Sequence, residues 1–146
     1  PGLSTCLTKE EVNVFDLIEE QQTQNLFLLR SGPIQANPSE LIAGKNMRDL
    51  CEILCEHYDY IILDSPPLLT VPDSVILSTM VDGVILVVRS GQSTREDLLL
   101  ARREIESVGA KVLGVVLNDI KTTGTTYTSG TSSKPSSGLK VSDVLM

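Results

Sequence analysis

YDYIILDSPPLL, residues Tyr58 to Leu69, runs from an apolar stretch straight into an aspartate, a serine and two prolines. Tyr60, Ile61, Ile62 and Leu63 are β-formers in unbroken succession, bounded by Asp59 before them and by the helix-hostile Pro66-Pro67 after them. A short apolar run without polar alternation predicts a strand covered on both faces, the condition of a parallel sheet clad by helices. Asp64 then falls at the carboxyl end of that strand, the edge where open α/β sheets bind ligands. An aspartate there has two readings: a cap for the following turn, or an acidic group facing a ligand.

The flanking sequence supports alternating strands and helices. Thr8 reads as a helix N-cap with Glu11 closing a capping box, and Val12, Phe15, Leu17 and Ile18 as the apolar face of a helix ending near Gln22. NLFLLRSG (Asn25 to Gly32) reads as a strand entering a turn. NPSELIAGKNMRDLCEILCEHYD reads as one long helix, capped by Asn37 or Ser39 with Pro38 in its first turn. Asp73 to Met80 predicts a short helix with Asp73 as N-cap, and DGVILVVRSG (Asp82 to Gly91) a strand. Thr94 to Val108 predicts an amphipathic helix stopped by Gly109, and KVLGVVLN (Lys111 to Asn118) the last strand. The expected class is α/β, a mostly parallel sheet with helices on both faces. From Lys121 to Gly138 the chain turns Ser, Thr and Gly-rich without apolar periodicity, which predicts a flexible tail.

Composition narrows the functions. With 146 residues and 41% hydrophobic content the chain can bury one substantial core. A formal net charge of -7 disfavours a broad nucleic-acid or anionic-membrane surface, both of which need clustered Lys and Arg. No apolar run approaches the roughly 20 residues of a spanning helix, and PGLSTC is no signal peptide, so a cytosolic chain is expected. Cys6, Cys51 and Cys55 are odd in number and read as reduced thiols. Cys51, Cys55 and His57 have helical metal-ligand spacing, but Cys51 shares an apolar stripe with Met47, Leu50, Leu54 and Tyr58 and reads as a core residue. His57 reads as a helix-end residue.

A short apolar strand ending in aspartate has the form of a Walker B element, whose carboxylate orients the ligands of Mg²⁺ on a bound nucleotide. Gly44-Lys45 invites a search for the matching phosphate loop. The G-x-x-x-x-G-K-[ST] pattern needs a glycine where Ser39 stands and a hydroxyl where Asn46 stands, and these residues lie inside a helical pattern. Lys45 therefore reads as a solvated helix residue.

GLSTCL, LFLLRSGPIQANPSELI, YDYIILDSPPLLTVPDSVIL, VDGVILVVRSGQSTRE and VLGVVLND, in this order and spacing, resemble the bacterial tyrosine kinases of capsule and exopolysaccharide export. The resemblance covers Gly2 to about Ile120. In that family the phosphate loop and the Walker A′ aspartates precede the PGLS region, so residues 1–120 correspond to the C-terminal half of a P-loop-type kinase domain and 121–146 to a tail. The resemblance implies Asp64 as the Walker B aspartate beside Mg²⁺, and Asn118 as the residue that contacts the adenine of ATP. For Asn118 the plain alternative is a turn residue. Asp73 and Arg89 stand near the same edge, Arg89 reading as a surface or interface charge.

What the resemblance implies is ATP-dependent transfer of phosphate to tyrosine, in control of polysaccharide assembly. It also implies a membrane co-polymerase or activator domain as partner, homo-oligomers of the complete protein, and a cytoplasmic place at the inner face of the membrane. This chain alone, without Walker A, is expected to be inactive. The tail departs from the family's tyrosine cluster, offering only Tyr127. Two other readings stay open: a switch ATPase like the partitioning and septum-positioning proteins, and a non-catalytic module of the same fold.

Overall fold

The computed structural model describes residues 1–9 and 12–120. They fall into two units divided between Ile62 and Leu63. The expected tail, with Tyr127, lies outside the described residues.

In the first unit helix α1 spans Leu3–Thr8. Its start is tied to the segment around residue 31: Leu3 N–H donates to the Arg30 carbonyl (2.7 Å) and Ser4 N–H to that of Ser31 (2.9 Å). These bonds satisfy donors that a helix N-terminus cannot pair internally. They also draw the backbones so close that a Cβ on Gly2 would stand 2.3 Å from Arg30 O and 2.5 Å from Gly32 N. Thr8 is the last residue of α1, not the cap of a following helix, and its hydroxyl donates back to Ser4 O (2.8 Å). Glu11, the other half of the expected capping box, lies outside the described residues.

The helix expected to reach Gln22 is replaced by a 3₁₀ turn, Val14–Asp16, and a strand β1, Ile18–Glu20. Asn13 Oδ1 accepts Phe15 N–H (3.1 Å) and so holds the tight turn. β1 pairs antiparallel with β2 (Phe27–Leu29), Ile18 facing Leu29. The Arg30–Glu19 ion pair (3.0 Å) lies beside this hairpin. Backbone pairing with Phe27–Leu29 outweighs the helical spacing of Phe15 and Ile18.

The long helix expected after Asn37 is two helices. Helix α2 is Pro38–Ala43, with Asn37 in the N-cap position, and α3 is Lys45–Cys55. Gly44, extended at φ -69° and ψ 164°, interrupts them. Helix α1 lies against α2 and α3, and Asn46 Nδ2 donates to the Leu7 carbonyl (3.0 Å) near the end of α1. The buried residues Leu7, Val14, Met47, Leu50 and Leu54 form the apolar interior. Lys45 is solvated and bonded to Asp49. His57 follows α3, its Nδ1 2.9 Å from the Ile53 carbonyl and its ring 4.5 Å from that of Phe15.

The run Tyr60–Leu63 makes no strand. Only Asp64 makes a bridge, and Tyr60 and Ile62 are 91% and 68% exposed. A strand exists by pairing, and the described residues give this run no ladder, so strong β-propensity yields irregular chain.

The second unit follows expectation more closely. Helix α4 is Asp73–Ser78, strand β3 Val84–Arg89, helix α5 Arg95–Ser107 and strand β4 Val112–Asn118. β3 and β4 are parallel, with α5 against both. Leu68, Leu77, Val84, Leu86 and Ile105 are buried. The register skips one residue of β4: Val84 faces Val112, but Ile85 faces Gly114. The extra residue, Leu113, lies over Gly83, where a Cβ would stand 2.5 Å from Leu113 Cγ.

Helix α5 begins with the expected Thr94 cap. Thr94 Oγ1 accepts Asp97 N–H (3.1 Å), while Asp97 Oδ2 accepts from the Thr94 backbone N–H (2.9 Å) and hydroxyl (2.7 Å). Gly109, at φ +79°, follows the helix as its stop.

Two outcomes follow from these contacts. Gly2→Ala should destabilise the fold by about 1–3 kcal/mol, the usual cost of overpacking against backbone, seen as a lower midpoint in urea unfolding. An unchanged midpoint would mean that α1 is not held this closely. Asp97 has its carboxyl held below the ordinary range by the Thr94 N–H and then by the Thr94 hydroxyl. Its folded pKa is therefore depressed. The stabilisation is complete above the unfolded carboxylate pKa and is lost as pH falls through the lower folded value, below about pH 4. Carboxyl titration by NMR should find Asp97 below ordinary aspartates, and Thr94→Ala should move it back up.

Candidate functional site

In a parallel pair both carboxyl ends emerge at one edge, so the residues ending β3 and β4 become neighbours. Here Arg89 faces Asn118 across the ladder. Ser90 N–H continues the pairing by donating to the Asn118 carbonyl (2.9 Å). Beyond the ladder Asp119 adopts the left-handed conformation at φ +55°. Its carboxylate accepts from Arg89 Nε at 2.9 Å, an ion pair with both side chains about half exposed. At such exposure it contributes about 0–1 kcal/mol and serves chiefly to orient the guanidinium. Arg89 is thus tied to the chain end of the neighbouring strand, which its residue type alone did not reveal.

Asn118 is half-buried, and its Oδ1 accepts the backbone N–H of Asp119 (2.8 Å). This local bond is the geometry of the turn-residue reading.

Asp64 lies exposed at the bridge that follows the YIIL run. The two residues after it are anchored. Ser65 is buried, and on α4 the fully buried Ser74 reaches Ser65 Oγ (3.1 Å) and the Pro66 carbonyl (2.5 Å). A turn follows, closed by Thr70 N–H to the Pro67 carbonyl (3.0 Å). Asp73 is the first helical residue of α4 and buried; Pro72, not Asp73, holds the N-cap position. Sequence reasoning placed Asn118 at the end of a strand, as observed, but did not find the Ser65–Ser74 contact, since a pairing nine positions apart depends on where α4 turns back.

Next to these residues is a cavity of about 280 Å³, lined by Pro67, Leu68, Leu69, Val88, Arg89 and Leu98 among others. Its walls are largely apolar, with Arg89 at its border. Neither Asp64 nor Asn118 lines it.

As a metal ligand Asp64 would offer a hard, exposed carboxylate, and it makes no ion pair among the described residues. No group of three or more His, Cys, Asp or Glu side chains that could hold a metal occurs among those residues. A single carboxylate still suits Mg²⁺, which keeps several waters and takes its other ligands from phosphates. The cysteines suit metal less well: burial, then the neighbouring Cys55, pushes the Cys51 thiol up, and burial raises Cys6. The reactive thiolate is correspondingly disfavoured. Among the described residues no helix is long and apolar enough to cross a membrane.

No family model matches the chain. It is 35% identical over 120 residues to the tyrosine-protein kinase YwqD of Bacillus subtilis, covering 82% of this chain and 50% of that protein. With the putative tyrosine-protein kinase CapB of Staphylococcus aureus it shares 37% identity over 117 residues, covering 80% of this chain and 51% of the relative. Among solved structures, the kinase domain of the Escherichia coli tyrosine kinase ETK superposes with a TM-score of 0.78 at 31% identity, covering 89% of this chain and 51% of that one. The chain therefore spans about half the length of the curated relatives it matches. Agreement in sequence and in fold, over most of its length, means that the chain belongs to the bacterial tyrosine-protein kinase family, as part of an α/β, P-loop-type kinase domain.

Proposed function

We propose that the complete protein transfers the γ-phosphoryl group of Mg-ATP to tyrosine hydroxyls, and that residues 1–120 are the C-terminal half of its kinase domain. The observation that carries this is kinship with named tyrosine kinases over most of the chain, joined to an exposed Asp64 free of ion pairs among the described residues. The capsule and exopolysaccharide setting, a membrane co-polymerase as partner, and a tail bearing Tyr127 follow from the family resemblance and belong to the same proposal.

Each residue has a part in the reading. Asp64 presents a carboxylate to the metal side of the nucleotide, in a segment held by Ser65 and Pro66. Asn118 has an amide at the carboxyl end of β4, where it can meet the edge of a base. Arg89, oriented by Asp119, supplies positive charge beside it. When bound, Mg²⁺ neutralises charge on the phosphates. The cradle for those phosphates and the base that activates the tyrosine are assigned to sequence outside this chain, because Gly44-Lys45 sits at a helix break without the required loop.

Asp64→Asn in the full-length kinase should slow phosphoryl transfer more than tenfold with the fold intact. A unit charge beside a divalent ion is worth several kcal/mol even at an effective dielectric of about 20, and losing about 2 kcal/mol exceeds a factor of ten. Transfer at the wild-type rate, measured with radiolabelled ATP, would remove Asp64 from the site. Asn118→Ala should weaken ATP binding by the worth of one neutral hydrogen bond, about 0.5–1.5 kcal/mol, and relax the preference for adenine over guanine. Calorimetry with both nucleotides checks this, and an unaltered preference would leave Asn118 a turn residue.

A further inference from the structure

Ser74 is completely buried on α4, and Ser65 nearly so. Ser74 Oγ lies 3.1 Å from Ser65 Oγ and 2.5 Å from the Pro66 carbonyl oxygen. A carbonyl can only accept, so the single Ser74 proton goes to Pro66 O. The Ser65 hydroxyl then donates to Ser74 Oγ; its alternative acceptor, the Pro66 carbonyl, is 3.4 Å away. The result is a directional chain, Ser65 O–H to Ser74 Oγ and Ser74 O–H to Pro66 O, closing on the two residues that follow Asp64.

Apolar packing does not call for this arrangement. An alanine at 74 would bring no buried hydroxyl of its own, but it would take this partner from Ser65 Oγ and the Pro66 carbonyl. Among the described residues Asp64 itself makes only an isolated bridge. A carboxylate must be held within about half an ångström to act as a prepared ligand. The hydroxyl chain ties the segment carrying it to a helix.

We propose that Ser74 is a positioning residue for Asp64: through the Ser65 hydroxyl and the Pro66 carbonyl it fixes the backbone from which the Asp64 carboxylate meets Mg²⁺. This rests on the assignment of Asp64 given above. Ser74 touches neither metal nor nucleotide, and its effect is on metal affinity.

The test uses the full-length kinase and measures ADP affinity by calorimetry across a Mg²⁺ titration and in EDTA. Ser74→Ala should raise the Mg²⁺ concentration for half-maximal tightening of ADP by about tenfold or more, as loss of a group supporting a metal ligand does. ADP affinity in EDTA should not change. Ser65→Ala should shift the Mg²⁺ midpoint similarly, and Ser65→Thr, which keeps the hydroxyl, should restore it. Because both serines act through one chain, the double alanine variant should be no worse than the worse single one. A Mg²⁺ midpoint left in place by Ser74→Ala, while Asp64→Asn displaces it, would overturn the role of Ser74. Multiplying effects in the double variant would do the same. If Asp64→Asn also leaves the midpoint in place, the assignment of Asp64 fails first, and the role of Ser74 with it.

Discussion

A parallel strand cannot return through a tight turn, and the second unit depends on that constraint. β3 and β4 can pair only across a connection long enough to carry a helix. Helix α5 fills it, opened by the Thr94–Asp97 box and anchored by the fully buried Ile105. Because the strands point the same way, Arg89 and Asn118 finish side by side. An antiparallel pair would have set the end of one strand against the start of the other, and no shared polar edge would exist.

Legibility in the sequence followed the range of the interactions. β3, α5 and β4 could be read because each carries its own signals: an apolar run, a Thr cap with Asp three positions on, a stopping glycine. Residues 12–20 could not, since Phe15, Leu17 and Ile18 fit a helical face while the chain takes a hairpin with residues 27–29. The YIIL run was read as a buried strand on propensity, and propensity cannot supply the neighbour that a strand requires. The positions of Asp64 and Asn118 as ends of runs were visible at once. The Ser65–Ser74 contact was not, because no local pattern distinguishes a serine that will meet another from one that faces water.

The charge of the chain bears on its chemistry. A net charge of -7 repels a polyphosphate, so any nucleotide near this edge must be met by cations. Where β3 and β4 end, the cation present is Arg89, half committed to Asp119. The chain spans about half of a relative's length, and the charge that a phosphate would meet on it is on balance negative.

The bulge at the start of the parallel pair acts as a counting device. Leu113 is the surplus residue of β4, and it finds room because residue 83 has no side chain. A Cβ there would stand 2.5 Å from Leu113 Cγ, and Leu113 would have to turn away. Pairing without the skip would set every later partner off by one and turn alternate side chains to the opposite face. Arg89 would then no longer face Asn118. A glycine at the amino end of the sheet thus makes room for the residue that offsets the two strands all the way to Arg89 and Asn118.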